Sequence, residues 1–311
     1  MPLELTLASL AAEAALGYPA ALHRRLPHPV VWLGSAISAL ERRWNRPTRA
    51  PATRRLLGVL TIALAASAAA LAGWLVQRLL GALPFGFLVL VLVATVGLAQ
   101  RSLFEHVAAV RDALTAGDLP AARAAVGMIV GRDVADLDRG EVAAATIESL
   151  AESFNDGVVA PAFWLALAGP PGLFAFKALN TADSLIGHIE PRWRDFGWAA
   201  ARSDDLANLI PARLAGALIA LAGGRGFQIM LRDASKHASP NAGWPEAAMA
   251  GALGRTLGGP ASYDGVPIAR PAFGDGPRPE AADLARALML YSRACVLLWL
   301  IVGLGALAWR L

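Results

Sequence analysis

Two uncharged runs, residues 56–77 and 79–100, stand end to end with only Arg78 between them, and they limit the possible folds more than any other feature of the chain. The hydrocarbon core of a bilayer is about 30 Å thick and a helix rises about 1.5 Å per residue, so about 20 apolar residues cross it. Each run meets that length, and Gly81 and Pro84 break the helix between them, so residues 56–100 read as a transmembrane hairpin. A third span is expected at residues 287–309, apolar apart from Arg293, with Trp299 and Trp309 at interface depth. Residues 1–22 read as an N-terminal apolar helix, weakened by Glu4 and Glu13 and without the basic start of a cleaved signal peptide.

Of 311 residues, 56% are apolar and 17% charged, with mean hydropathy +0.48. That load is too apolar for a soluble globule and leaves no reason for disorder. The single cysteine, Cys295, excludes a disulfide scaffold. The net charge of +4 is carried by arginine, since Lys177 and Lys236 are the only lysines. Because the arginines flank apolar runs, nucleic acid is not an expected partner and lipid is. Arg24, Arg25, Arg42, Arg43, Arg46, Arg49, Arg54 and Arg55 face only Glu41 before the hairpin, which marks that side as cytoplasmic.

Two further apolar stretches are ambiguous. Residues 158–176 are uncharged, but Pro161 and Gly169-Pro170-Pro171-Gly172 would break a straight helix; residues 206–222 carry Asn208, Pro211 and Arg213 in their first half. Each is read as either a span or a re-entrant segment. The expected architecture is an all-α polytopic membrane protein forming one domain over residues 1–311. In it, residues 101–286 hold polar cytoplasmic helices packed on broken apolar ones.

That polar middle carries the chemistry. Asp133, Asp136 and Asp138 follow Gly131-Arg132, and Glu141 comes three residues later. Asp138 and Glu141 have capping-box spacing, while clustered carboxylates also suit Mg²⁺ on a nucleotide. Glu141, Glu148, Glu152 and Asn155 then align on one helical face that ends at Asp156-Gly157, where an apolar run begins. Lys177, Asn180, Thr181, Asp183 and Ser184 form a second polar face. Asp204 and Asn208 lie one turn apart, with Ser203 or Asp204 a candidate helix cap. Residues 232–246 form a polar loop opening a small-residue helix over residues 247–257. Pro245 suits the first helical turn, and backbone N–H groups there, with Lys236 and His237, would suit a phosphate. No phosphate-binding glycine loop, dinucleotide fingerprint, zinc motif or C-x-x-C is present.

In order along the chain, these blocks resemble one family, the CobD/CbiB adenosylcobinamide-phosphate synthases of cobalamin biosynthesis. The resemblance rests on Leu26-Pro27-His28-Pro29-Val30, residues 130–138, Glu148 to Pro161, Lys177 to Ser184, Asp204 to Arg213, and Lys236 to Pro245. Ser153-Phe154 departs from the family pattern before Asn155-Asp156. The resemblance implies an inner-membrane ligase with its site facing the cytoplasm. It would join aminopropanol or its O-phosphate to a propionate carboxylate of adenosylcobyric acid, using ATP and Mg²⁺. It also implies roles. Asp133, Asp136, Asp138, Glu148 and Glu152 are candidate metal ligands; Lys177, Asn180, Asp183, Asp204 and Asn208 are candidate catalytic residues; Lys236, His237, Asn241, Trp244, Glu246 and Asp156 are candidate substrate or phosphate contacts. The alternatives are a non-catalytic corrinoid-binding or docking component with a soluble pathway partner or second copy, and a polar-solute transporter. The absence of an inverted repeat weighs against the transporter.

Overall fold

The computed structural model describes residues 2–17, 28–263 and 265–311. The end of the expected N-terminal helix, Arg24, Arg25 and the Leu26-Pro27 pair lie outside the described residues. By packing, the chain divides into two compact units, one of Met1–Ala99, Ala160–Asn208 and Val302–Leu311, the other of Gln100–Val159 and Leu209–Ile301.

The first unit is built on the hairpin. Helix α1 (Pro2–Leu16) precedes α2 (Pro29–Trp44), and α3 (Pro51–Gly81) is the first arm, 31 residues long with a proline at its start, where the missing N–H costs nothing. The turn over residues 82–85 puts Phe85 at φ 60° before α4 (Gly86–Thr95) sends the chain back. Leu56, Leu64 and Leu71 along α3 are exposed, as a lipid-facing stripe requires. The inner faces close on Leu5, Leu90, Val91, Ala94, Leu165 and Leu173.

Helix α8 (Ala160–Ile186) also belongs to this unit and is kinked where the sequence placed its break. Gly169 sits at φ 65° and ψ −158°, a region open essentially to glycine, and Pro170 and Pro171 remove two backbone donors. The kink packs tightly on α3: a Cβ at Gly73 would lie 2.6 Å from the Pro170 carbonyl oxygen. Glu41, lone acid of the arginine-rich segment, is buried on α2 and meets Arg192 Nη2 at 3.3 Å. Arg54 pins the loop before α9 (Trp198–Ala207), donating to Asn45 Oδ1 at 2.7 Å and to the Arg192 carbonyl. Arg54, from the arginine-rich segment before the hairpin, therefore helps to build the unit.

The second unit holds α5 (Gln100–Thr115), α6 (Leu119–Val126), α7 (Arg139–Phe154), a π-helical turn over Asn155–Val159, α10 (Leu209–Gly223), α11 (Phe227–Asp233), α12 (Gly243–Leu253) and most of α13 (Ala281–Ala308). Asp118 caps α6 by accepting from Ala121 N at 2.9 Å. Asp138 and Glu141 make the full capping box at the start of α7, each accepting the other's backbone N–H at 2.8 Å. Small side chains let α7 bury every residue from Val142 to Ala151. The Tyr291 hydroxyl and the Trp299 indole, both on α13, donate to Gln100 at 2.8 Å and fix the start of α5.

Two antiparallel ribbons were not expected. β1 (Leu257–Gly258) pairs with β4 (Ala272–Phe273), and β2 (Ala261–Tyr263) pairs with β3 (Val266–Ile268). They occupy the Gly- and Pro-rich stretch after α12, and the small-residue helix stops at Leu253 instead of reaching residue 257. Helices otherwise dominate, as expected.

Four stretches among the described residues are long and apolar enough to cross a membrane: Pro51–Gly81, Gly86–Thr115, Arg139–Ile186 and Ala281–Ala308. A fifth exists if Trp198–Ala207 and Leu209–Gly223, bent by 50°, count as one. The hairpin and the C-terminal span are thus present at the expected positions. The stretch at residues 158–176 lies inside the Arg139–Ile186 run, which is kinked at Gly169.

Candidate functional site

Polar side chains gather at two places, one in each unit. In the first unit the gathering lies between the second half of α8 and the end of α9. Asp204 was a candidate helix cap, but α9 starts at Trp198, so Asp204 is inside the helix and buried. Its Oδ2 accepts from Asn208 Nδ2 at 3.0 Å and its Oδ1 from Asn180 Nδ2 at 3.4 Å. Trp164 closes the end of α9 by donating to the Ala207 carbonyl at 3.1 Å. Asn180, Asp204 and Asn208 are therefore brought together. Lys177 and Asp183 lie half-buried on the same helix as Asn180.

In the second unit the centre is Glu148, which is 3% exposed in the middle of α7. Its Oε1 accepts from the Gly258 backbone N–H at 2.8 Å, and its Oε2 accepts from Arg270 Nη1 at 3.2 Å and from Arg132 Nη2. The other nitrogen of Arg270 lies 3.9 Å from Oε2 of Glu246, which is itself 1% exposed in the first turn of α12. That Glu246 oxygen accepts no hydrogen bond among the described residues. Burial, with the nearby Glu152 and Glu148 carboxylates, pushes the Glu246 carboxyl well above the usual range. His237 Nε2 stands 3.7 Å from Glu246 Oε1, and burial together with the Arg270 charge holds the imidazole below its usual value. Its Nδ1 accepts the Ser239 N–H at 2.9 Å, which puts the proton of the neutral ring on Nε2. An acid that favours its protonated form thus faces a histidine that favours its neutral form.

Asp133, Asp138 and Asp156 have structural partners. Asp133 docks the turn before α7 onto the β2–β3 ribbon, accepting from Ser262 Oγ at 2.7 Å and Gly265 N at 2.8 Å. Asp136 and Glu152 are exposed. Asp138 is the cap of α7. Asp156 accepts from Asn155 Nδ2 at 2.7 Å within the π-helical turn, a feature that often marks functional sites. Among the described residues no three His, Cys, Asp or Glu side chains are grouped so as to hold a metal ion, so the five candidate ligands are not a preformed metal cluster.

The expected phosphate cradle at the start of α12 is largely filled from within. The Ser239 hydroxyl accepts the N–H groups of Asn241 and Ala242 at 3.2 and 3.3 Å. Lys236 Nζ is held 2.7 Å from Asp233, a buried carboxylate that Arg232 and Lys236 keep well below the usual range. Trp244 carries the Arg213 guanidinium 4.6 Å above its ring, and Arg213 also donates to Asn241 Oδ1 at 3.3 Å.

Arg132, Arg270 and Asp233 are functional neighbours that the sequence patterns do not single out, although Arg132 stands directly beside Asp133. Arg270 lies in the ribbon segment, where turn residues hide any periodicity, and no local pattern ties it to Glu148, 122 residues away.

Comparison with known proteins adds the family. The sequence matches the CobD/Cbib protein family over residues 6–291. It is 50% identical over 301 residues to the cobalamin biosynthesis protein CobD of Rhodobacter capsulatus, covering 96% of this chain and 95% of that one. It is 48% identical over 302 residues to the protein of the same name from a Sinorhizobium species, covering 93% and 94%. With that of Brucella suis it shares 47% identity over 306 residues, covering 94% and 93%. No solved structure matches. With a family match over nearly its whole length and several relatives near half identity, the chain belongs to the CobD/Cbib protein family.

Proposed function

We propose that this chain is a membrane enzyme of cobalamin biosynthesis. It forms an amide between a propionate carboxylate of adenosylcobyric acid and the amine of aminopropanol or its O-phosphate. The names of its relatives support the pathway. The observation that carries the chemistry is the buried cluster around Glu148 and Glu246, where guanidiniums, two acids and a histidine stand together. A carboxylate is a poor acyl donor and needs activation, most simply as an acyl phosphate made with ATP. Water hydrolyses such a species, and a cluster this dry, beside helices apolar enough to enter a bilayer, protects it.

The residue roles follow from donor type. Within the first unit, Lys177 supplies a donor for phosphate oxygens and Asn180 and Asn208 donors for an acyl group; within the second unit, Lys236 and Asn241 supply the same donor types. The attacking amine must lose a proton, which Asp183 or Asp204 accepts. Asp156, His237, Trp244 and Glu246 contact substrate. Since no three His, Cys, Asp or Glu side chains among the described residues are grouped so as to hold a metal ion, an Mg²⁺ ion would be held mainly by nucleotide phosphates and water, with one or two of Asp133, Asp136, Asp138, Glu148 and Glu152. Bound there, it would offset phosphate charge. The arginine-rich segment before the hairpin supports an inner-membrane protein whose polar motifs face the cytoplasm.

The test is turnover by detergent-purified chain given adenosylcobyric acid, ATP, Mg²⁺ and either aminopropanol or its phosphate, with the corrinoid product followed by mass. Amide with one ADP per product is the expected result. Corrinoid binding with no amide until a soluble extract is added would replace this reading with a binding or docking component.

A further inference from the structure

The hairpin of the first unit carries one charge that spanning a bilayer does not require. Arg78, near the end of α3, is the only charged residue between Arg55 and Arg101. It follows Arg55 by twenty-three residues, about 35 Å along a helix, whereas the hydrocarbon core is about 30 Å thick. With the arginine-rich segment at one headgroup layer, Arg78 therefore reaches the other. The positive-inside rule accounts for the arginines at the first end and gives no reason for one at the second. The Arg78 guanidinium lies 5.6 Å above the ring of Trp74, one turn back and also exposed. Neither Arg78 nor its neighbour Gln77 has a hydrogen-bond or ion-pair partner among the described residues.

Both side chains line a cavity of about 360 Å³. Its walls are Leu5 of α1, Phe87 and Leu90 of α4, and the kink of α8 at Gly169 and Pro170. A Cβ at Gly169 would lie 3.1 Å from Gln77 Oε1, so the glycine that makes the kink also leaves the amide its space. Arg78 is the only charged residue lining the cavity. Glu4, one residue before Leu5 on α1, is already paired with Arg310. An apolar cavity at headgroup depth, with one unmatched cation and one free amide, complements an amphiphile whose single charge is negative. A zwitterionic headgroup would bring an ammonium as well, and no carboxylate lines the cavity to receive it.

We propose that this cavity holds one anionic phospholipid from the leaflet at the hairpin turn, its phosphodiester on Arg78 and Gln77 and the start of an acyl chain against Leu5, Phe87 and Leu90. The site is independent of the amide-forming reading. A lipid seated there ties α1, the hairpin and the kink of α8 together, at the point where Pro170 and Pro171 leave the helix without two backbone donors.

Native mass spectrometry of the full chain released from detergent tests it, with phosphatidylglycerol, phosphatidylethanolamine and glycerol 3-phosphate as separate probes. One phosphatidylglycerol per chain is expected to survive conditions that strip phosphatidylethanolamine. Arg78→Gln is expected to weaken phosphatidylglycerol by about 10- to 100-fold, as the loss of a charge-assisted hydrogen bond implies. Gly81→Leu keeps the charge and fills the cavity: Gly81 lines it, and a Cβ there meets nothing within 4 Å. It is expected to weaken the same lipid. Arg293→Gln, which removes an exposed arginine from an apolar stretch of α13, is expected to leave binding unchanged. Melting of each variant in detergent without lipid checks the fold, and added phosphatidylglycerol is expected to raise the melting temperature of wild type and Arg293→Gln alone. Equal binding by wild type and Arg78→Gln overturns the proposal. Undiminished binding by Gly81→Leu overturns it too, by placing the lipid on Arg78 outside the cavity. An equal loss in Arg293→Gln would reduce the effect to overall charge. Displacement of the lipid by glycerol 3-phosphate at equal concentration would give the site to a free phosphate ester instead.

Discussion

Glu148 and Glu246 are both carboxylates within a few per cent of full burial, in the same unit, and both lie within reach of Arg270. They differ in what else reaches them. Glu148 sits where two guanidiniums and a strand N–H converge, so its charge is matched and both oxygens are bonded. Glu246 has Arg270 only at 3.9 Å and a neutral histidine at 3.7 Å, with one oxygen accepting nothing among the described residues. Burial without donors favours the uncharged form of an acid; burial with donors favours the charged one. Arg270 thus stands between two acids reached by very different numbers of donors, and at Glu246, where few reach, burial raises the carboxyl.

The sharpest way to break that contrast is Glu148→Ala. It strands two guanidiniums in a dry site, and a loss of about 3–5 kcal/mol is expected from chemical denaturation in mild detergent. A loss no larger than that of Glu246→Ala would mean the two acids are equivalent. Next is Arg270→Met, which removes one partner of Glu148 and the cation that opposes protonation of Glu246. It is expected to cost about 1.5–3 kcal/mol and to move the Glu246 titration still higher. An unchanged titration would remove Arg270 from between them.

A smaller effect carries the protonation claim itself. Glu246→Gln puts a neutral amide where the folded protein already favours a neutral acid, so stability near neutral pH should change by about 1 kcal/mol or less. The pH dependence should change more clearly. A carboxyl raised in the folded state binds more protons there than in the unfolded chain. Its contribution is therefore full below the ordinary carboxylate range and falls as pH rises toward the raised value. Wild type should show that decline and Glu246→Gln should not. Parallel profiles would mean that Glu246 is ionised in the folded protein.

What could be read in advance follows from the range of the interactions. The hairpin, the capping box of Asp138 and Glu141, and the break at Gly169-Pro170-Pro171 are local, set by residues within a turn or two of each other, and they were legible. Asp204 misled because a Ser-Asp-Asp run looks like a helix start, whereas α9 already begins at Trp198 and turns Asp204 inward to Asn180. The acidic row on α7 was visible as a row. Which of its members is buried depends on Gly258 and Arg270, 110 and 122 residues from Glu148, on ribbons too short to show an alternating pattern. The π-helical turn at Asn155–Val159 has no composition that distinguishes it from an ordinary helix end.

His237 supplies the smallest effect and the opposite sign. Burial and the Arg270 charge hold its ring below the usual histidine value, so the folded protein binds fewer protons there than the unfolded chain does. Stability from this group is complete above the ordinary value near 6.5 and is lost as pH falls toward the depressed one. His237→Asn retains a side-chain oxygen to accept the Ser239 N–H and has nothing to titrate, so it should flatten the acid side of the profile alone. The two dependences overlap between the ordinary carboxylate and histidine values, where they oppose each other, and above that interval only the Glu246 decline remains. If the single variants shift each other's dependence instead of acting separately, the pair titrates as one unit sharing a proton. The group that takes up and releases the proton in this unit would then be the Glu246–His237 pair.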